Sequence, residues 1–199
     1  LPTHSQESPI EVWRVFIAIE LPTTLCARII DHIDRLRSSI AEVRASWSRK
    51  ENLHLTLKFL GDIPVTKVEA LAQAAQSAAS RVSPFDIIVG GCGAFPPRGQ
   101  PRVLWIGIED HAGKLASLQT ALEDECAKAG FSRAERPFRP HLTIARLRQP
   151  HGSRRLSALH QEIGFNREAI NVSELAVIRS ELRSEGSRHT VISRHRALG

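Results

Sequence analysis

The sequence predicts an α+β fold of two similar lobes, each a mostly antiparallel sheet packed with helices. Three observations predict it. Short stretches such as His54-Leu55-Thr56-Leu57 and His141-Leu142-Thr143-Ile144 alternate polar and apolar residues, which is strand periodicity. Other segments carry their apolar residues on one helical stripe, as Leu25, Ile29, Ile33, Leu36 and Ile40 do. The pattern also recurs: Arg102 follows Arg14 by 88 positions and His141 follows His54 by 87. Each cycle reads strand, helix, motif strand, helix, strand, which marks an internal duplication. The repeats cover approximately 11–100 and 101–199. They form one bilobal domain, 11–199, behind a leader at 1–10.

The elements follow in order. Val12 to Glu20 is an apolar strand ending at Leu21-Pro22. Pro22 and Thr23 open a helix, with Thr23 or Thr24 near the cap. Trp47 approaches the next strand as a core anchor or a cleft wall. Leu53 to Leu60 is the first motif strand, closed by Gly61-Asp62. A helix runs from Val65 to Ala79 with Val68, Leu71 and Ala75 on one face, and Pro84 ends it. Phe85 to Val89 is a strand. The glycines at 90, 91 and 93 precede no phosphate-binding helix of dinucleotide or P-loop type. After a turn-rich stretch from Pro96 to Pro101, the second cycle begins. It gives a strand from Arg102 to Glu109 and a helix from His111 to Ala129 striped by Leu115, Leu118 and Leu122. Beyond the second motif come a short helix, Arg154 to Ile163, and a strand, Ala169 to Arg179. A turn at Ser184 to Ser187 leads into a last strand, His189 to His195.

The 199 residues are 42% hydrophobic, without a continuous apolar membrane span or a signal-peptide pattern at the start. Lys and Arg total 27 against 21 acidic residues, for a net charge of +6. An Arg-weighted excess suits an anionic ligand, since the guanidinium meets phosphate bidentately. Three scattered cysteines, Cys26, Cys92 and Cys126, offer neither a disulfide framework nor zinc spacing, and favour a reducing, cytoplasmic setting.

The two His-x-Thr motifs carry the chemistry. A single such pair on a strand is usually a satisfied polar pair, but two in matched contexts supply a matched acid and base. One imidazole can take a proton while the other gives one. Thr56 and Thr143 lie about 6.6 Å beyond their histidines along a strand, close enough to donate to the same phosphate. Strand propensity alone is the competing account of both. Lys58 falls on the histidine face by alternation, and so does Arg139. Arg146 would point to the other face unless a bulge or strand end at Ala145 turns it. Arg133, Arg136 and Arg148 read as solvated charge. Phe59 and Phe138 read as core first and base-stacking groups second. His4, His32, His111, His151, His160 and His195 read as surface or packing residues.

The stretches Arg14-Val15-Phe16-Ile17-Ala18-Ile19-Glu20, Asn52 to Gly61 and Arg136 to Arg146 resemble the 2H phosphoesterases, named for paired His-x-Thr/Ser-x motifs. Within them the chain is most similar to the RNA 2',3'-cyclic phosphodiesterases, also called 2'-5' RNA ligases. The resemblance runs from about Val12 to His195. It implies two lobes related by a pseudo-twofold axis, with His54 and His141 facing across a cleft and strands free to leave the lobe of their own repeat. It implies hydrolysis of RNA 2',3'-cyclic phosphate ends to 2'-phosphates, with His54 as acid, His141 as base and Arg146 on the phosphate. Phe59, Lys58, Arg139, Thr56 and Thr143 complete the expected site. No metal or other cofactor is called for. The expected partners are RNA ends, including tRNA fragments, or small cyclic nucleotides. The protein is expected to be monomeric and not membrane-bound. A 2'-5' RNA ligase, a broader cyclic phosphodiesterase and a non-catalytic RNA-end-binding module are the competing readings. One departure is His189, where family members often carry Tyr.

Overall fold

Strongly one-sided segments form helices that cover two sheets. The structure, a computed structural model, describes residues 10–184 and 186–198. Residues 1–9 of the expected leader, with His4, and residue 185 of the expected turn lie outside the described residues. The chain runs β1 (Val12–Glu20), α1 (Thr23–Ser39), β2 (Ala45–Trp47), β3 (His54–Pro64), α2 (Val68–Ala79), β4 (Phe85–Phe95) and β5 (Val103–Glu109). It continues through α3 (Lys114–Lys128), β6 (His141–Leu147), α4 (Ser153–Ile163), β7 (Glu168–Val172), β8 (Glu174–Arg183) and β9 (Gly186–Arg196).

Two antiparallel sheets result, ordered β3-β1-β8-β9 and β2-β6-β5-β4-β7. Helices α2 and α3 pack on the first; α1 and α4 pack on the second. The expected α+β pair of lobes is therefore present, with a cleft between them. The repeats interleave, however. The first repeat contributes β2 and β4 to the second sheet, and the second repeat contributes β8 and β9 to the first. The helix after β1 crosses to the second sheet, and the helix after β5 crosses to the first.

Several local expectations change. Pro22, not a threonine, stands at the start of α1, and no side chain caps it. Thr23 is already helical there. Residues 65–67 form a tight 3-10 turn before α2 rather than its first turn. The strand expected over Ala169 to Arg179 is two strands in different sheets. They part at Ser173, whose carbonyl accepts the Ala197 amide at 2.9 Å. Trp47 lies on β2, an edge strand absent from the sequence reading. It pairs with Ala145 and packs against the core.

β1 pairs with β3, and β5 with β6, with the same irregularity just beyond each motif threonine. Ala18 faces Thr56 while Ile17 faces Lys58, skipping Leu57. Trp105 faces Thr143 while Leu104 faces Ala145, skipping Ile144. Each motif strand thus carries an extra residue at this point, a β-bulge that re-aims the residues just beyond it; β3 carries a second at Leu60, between the Phe16–Phe59 and Val15–Gly61 pairs. Leu57 and Lys58 are both buried, and so are Ile144 and Ala145.

This corrects the reading of Lys58. The bulge turns it away from the His54 face and into the protein, where it is 4% exposed. Its ammonium meets Glu123 of α3 at 2.7 Å and the Ser132 carbonyl at 2.8 Å. Glu123 also accepts the Ala134 amide at 3.1 Å. Lys58 therefore anchors α3 and the segment after it to β3, out of a substrate's reach. Removing one member of a buried pair strands the other charge, at a cost of roughly 3–5 kcal/mol. Lys58→Ala should lower the unfolding free energy by that amount, read as a lower urea midpoint with an unchanged slope. Lys58→Met with Glu123→Leu should recover much of it. A loss below about 1 kcal/mol would mean that the pair behaves like an exposed one.

Candidate active site

Each motif histidine opens its strand, and each is fixed by the backbone two residues before it. The His54 Nδ1 lies 2.7 Å from the Asn52 carbonyl, and the His141 Nδ1 lies 2.7 Å from the Arg139 carbonyl. A carbonyl only accepts, so Nδ1 carries the proton in both rings. Nε2 is left with its lone pair in both. Duplication has thus copied the tautomer along with the residue.

The surroundings differ. Phe16 stacks on His54 with ring centroids 4.6 Å apart, and His189 meets it edge-on at 5.2 Å. Burial lowers the His54 pKa to about 4, helped by His189 and opposed by the bond to Asn52. His54 is therefore neutral in the free protein near pH 7. Phe16, Ala18, Ala176 and Ile178 form a small apolar floor on this face, with Val191 against it. An open cavity of about 420 Å³ adjoins His54, lined in part by Glu20, Lys50, Glu51, Ile178, His189 and Val191. His141 instead meets Phe95 edge-on at 5.1 Å, and Phe95 leans on Trp105 at 5.4 Å. A side chain at Gly93 would begin 2.1 Å from the Trp105 ring, so glycine is what admits that indole. The Trp105 Nε1 is buried without a partner among the described residues.

Thr56 and Thr143 hold equivalent, partly buried positions two residues beyond the histidines. The bulge before Ala145 returns Arg146 to the histidine side. It is exposed, and its side chain has no partner among the described residues. Phe59 is its counterpart on β3. It is 54% exposed, beneath the Arg14 guanidinium at 4.8 Å, and pairs with Phe16, which touches His54. Core packing is therefore not its role, while Phe138 does pack against the core. The Arg139 side chain is exposed; its carbonyl is what orients His141.

Other members were missed. Ser48 donates through its amide to the Ile144 carbonyl at 2.9 Å and through its hydroxyl to the Thr143 carbonyl at 2.8 Å. It thereby satisfies the bulged strand. Asn52 ties the first motif to the Ser187 carbonyl at 2.8 Å. His189, Phe16, Phe95 and Trp105 wall the two histidines, and only the position of His189 drew notice in the sequence. His32 and His160, read as surface or packing residues, are buried together against Cys92. Their burial behind the second sheet keeps them from a polymeric substrate.

The family model described as the 2'-5' RNA ligase superfamily matches residues 21–183. The chain belongs to the 2'-5' RNA ligase superfamily. This superfamily member is 33% identical over 180 residues to the RNA 2',3'-cyclic phosphodiesterase of Methanothermobacter thermautotrophicus, covering 89% of this chain and 95% of the relative. It is 31% identical over 164 residues to the enzyme of that name from Aquifex aeolicus, covering 80% and 86%. Among solved structures it resembles TT0787 of Thermus thermophilus with a TM-score of 0.77 and 25% identity, over 94% of this chain and 98% of that one. Escherichia coli LigT complexed with 3'-AMP matches with a TM-score of 0.69 and 25% identity, over 95% and 100%. The 2H resemblance carried by the two motifs is thereby borne out.

The burial of His54 has a direct consequence for its titration. In the free protein its ring signals should titrate near pH 4 by NMR. Adding a 2'-nucleotide should move that midpoint upward, because a bound anion favours the charged imidazole. A free-protein midpoint near 6.5 would mean that the ring is solvated.

Proposed function

We propose that this chain hydrolyses RNA 2',3'-cyclic phosphate ends to 2'-phosphates, with His54 as general acid and His141 as general base. The observation that carries this reading is the matched pair of Nδ1-to-carbonyl bonds, which leaves two Nε2 atoms available on duplicated strands. Binding alone needs donors; a fixed pair of imidazoles with free Nε2 atoms also serves proton transfer. Such assistance is worth roughly 10²–10⁴-fold.

Water gives a proton to Nε2 of His141 as its oxygen bonds to phosphorus. The bond from phosphorus to O3' breaks, and Nε2 of His54 protonates the leaving oxygen. Thr56 and Thr143 donate to the non-bridging oxygens, and Arg146 offsets their charge. Low solvation makes His54 neutral before substrate arrives, the wrong state for an acid. The phosphodiester anion restores its proton affinity, which ties charging of the acid to occupancy. The cavity beside His54 takes the nucleoside: Ile178 and Val191 offer apolar surface and Lys50 and Glu51 a polar rim. Phe59 stacks an adjoining base beneath Arg14.

The physiological ligands are RNA ends such as tRNA fragments, and small cyclic nucleotides are the minimal substrates. The acting unit is a monomer in the cytoplasm, where Cys26, Cys92 and Cys126 form no disulfide. No helix among the described residues is long and apolar enough to cross a membrane.

Replacing O3' by sulfur tests the roles, because a thiolate leaves with little protonation. His54→Ala should be crippled on the oxygen substrate and largely rescued on the sulfur one, with 2'-phosphate as product. His141→Ala should stay impaired on both. Rescue of His141→Ala instead would reverse the roles, and full activity of both variants would end the two-histidine reading. Hydrolysis should also persist after exhaustive EDTA treatment at a temperature where the protein remains folded. Complete loss, restored by one divalent ion, would replace imidazole chemistry with metal chemistry.

A further inference from the structure

Behind the second sheet, away from the cleft, three potential ligands converge from three elements. His32 comes from α1, Cys92 from β4 and His160 from α4. One donor atom from each lies within 4.8 Å of the others. His32 is 5% exposed and His160 is fully buried. Cys92 pairs across the sheet with Ile106, a fully buried core residue, so its sulfur shares the helix-covered face.

The hydrogen bonds orient the cluster. His160 donates from Nε2 to the Trp105 carbonyl at 2.9 Å. Its Nδ1 therefore holds a lone pair, aimed at the His32 Nε2 2.9 Å away. A ligating histidine nearly always donates its other nitrogen to a carbonyl or carboxylate in this way. A packing pair of imidazoles has no need for a thiol beside both nitrogens, whereas a metal site does.

We propose that His32, Cys92 and His160 form a binding site for a divalent transition-metal ion of the zinc class. Two imidazoles and a thiolate suit such a borderline-soft ion, and reject magnesium or calcium, which prefer oxygen. Tetrahedral zinc would hold the two nitrogens about 3.3 Å apart and each nitrogen about 3.5 Å from sulfur. The nitrogens must therefore part slightly while the thiol closes in. Binding forms two metal–nitrogen bonds and one metal–sulfur bond. His32 shifts its proton from Nε2 to Nδ1, and the Cys92 thiol proton leaves for solvent. No fourth His, Cys, Asp or Glu among the described residues joins the group, so water takes the remaining position. The ion would staple α1 and α4 to β4. Through the His160 bond it would also fix the backbone at Trp105, whose ring lies beside Phe95 in the cleft. The site lies apart from the cleft, and hydrolysis does not require it.

Cobalt(II) is the probe. Full-length protein stripped with chelator should bind one equivalent, with the visible bands of tetrahedral cobalt and a thiolate-to-cobalt charge-transfer band. Cys92→Ser should abolish the charge-transfer band, while Cys26→Ser should leave it intact. His32→Gln should weaken binding by more than the roughly 10–100-fold that loss of an outer partner costs. Zinc should raise the thermal midpoint of the unaltered protein and leave that of Cys92→Ser unmoved. A saturating titration of the unaltered protein without a charge-transfer band would overturn the site, whatever the variants do. A band that survives in Cys92→Ser would overturn it equally, because the sulfur would then be another cysteine. Hydrolysis of a cyclic phosphate by the stripped protein is scored separately, so the fate of the cleft reading is distinguishable.

Discussion

The bulge that follows each motif threonine governs what the two strands present. Before the bulges, β3 and β6 alternate normally: His54 and Thr56, like His141 and Thr143, share a face, and the intervening aliphatics are buried. At the bulge two successive residues turn inward, and the phase of the strand reverses. Without it, Lys58 and Ala145 would lie beside the histidines, and Phe59 and Arg146 would point into the layer of helices. With it, an aromatic ring and a guanidinium reach the histidine side at equivalent positions. A buried Lys58 becomes tolerable only because Glu123 and the Ser132 carbonyl meet it, so the bulge also sets where α3 docks.

The same frame then carries unequal surroundings. Both imidazoles are held by carbonyls two residues upstream at the same 2.7 Å. Around His54 the neighbours are Phe16 and a second imidazole; around His141 they are Phe95 and, behind it, Trp105. Duplication supplies equivalent imidazoles, and divergence gives them unequal walls. At His54 the walls depress the proton affinity.

Local signals in the sequence were enough for the elements and the motif residues. Period-two alternation exposed both motif strands, one-sided stripes exposed α1, α2 and α3, and the 87–88 offset exposed the duplication. What escaped depends on partners far away in the chain. β2 is three residues long and exists because Ala45, Ser46 and Trp47 find β6 about a hundred residues later. Ser173 looks like the interior of one strand, yet its neighbours belong to different sheets. Lys58 was misread because alternation assumes a regular ladder, and no local residue type announces the bulge. The residues at 32, 92 and 160 are 60 or more positions apart, so their meeting follows only from the way α1 and α4 share a sheet with β4.

That sharing also explains why a repeat so plain in sequence does not divide the molecule. β1 sends its following helix to the other sheet, and β5 does the same in return. Residues 168–172 finish the second sheet, and residues 174–183 cross to the centre of the first, between β1 and β9. A chain ending near residue 100 would leave β1 unpaired along one edge and α2 without α3. It would also leave α1 facing a sheet that lacks β5, β6 and β7. Unpaired central strands and uncovered helix faces are costly, so each repeat depends on the other to complete its layers. The motif strands stay with β1 and β5, their own repeat's opening strands. Exchange is confined to the elements around them, and the two histidine-bearing ladders keep their common register.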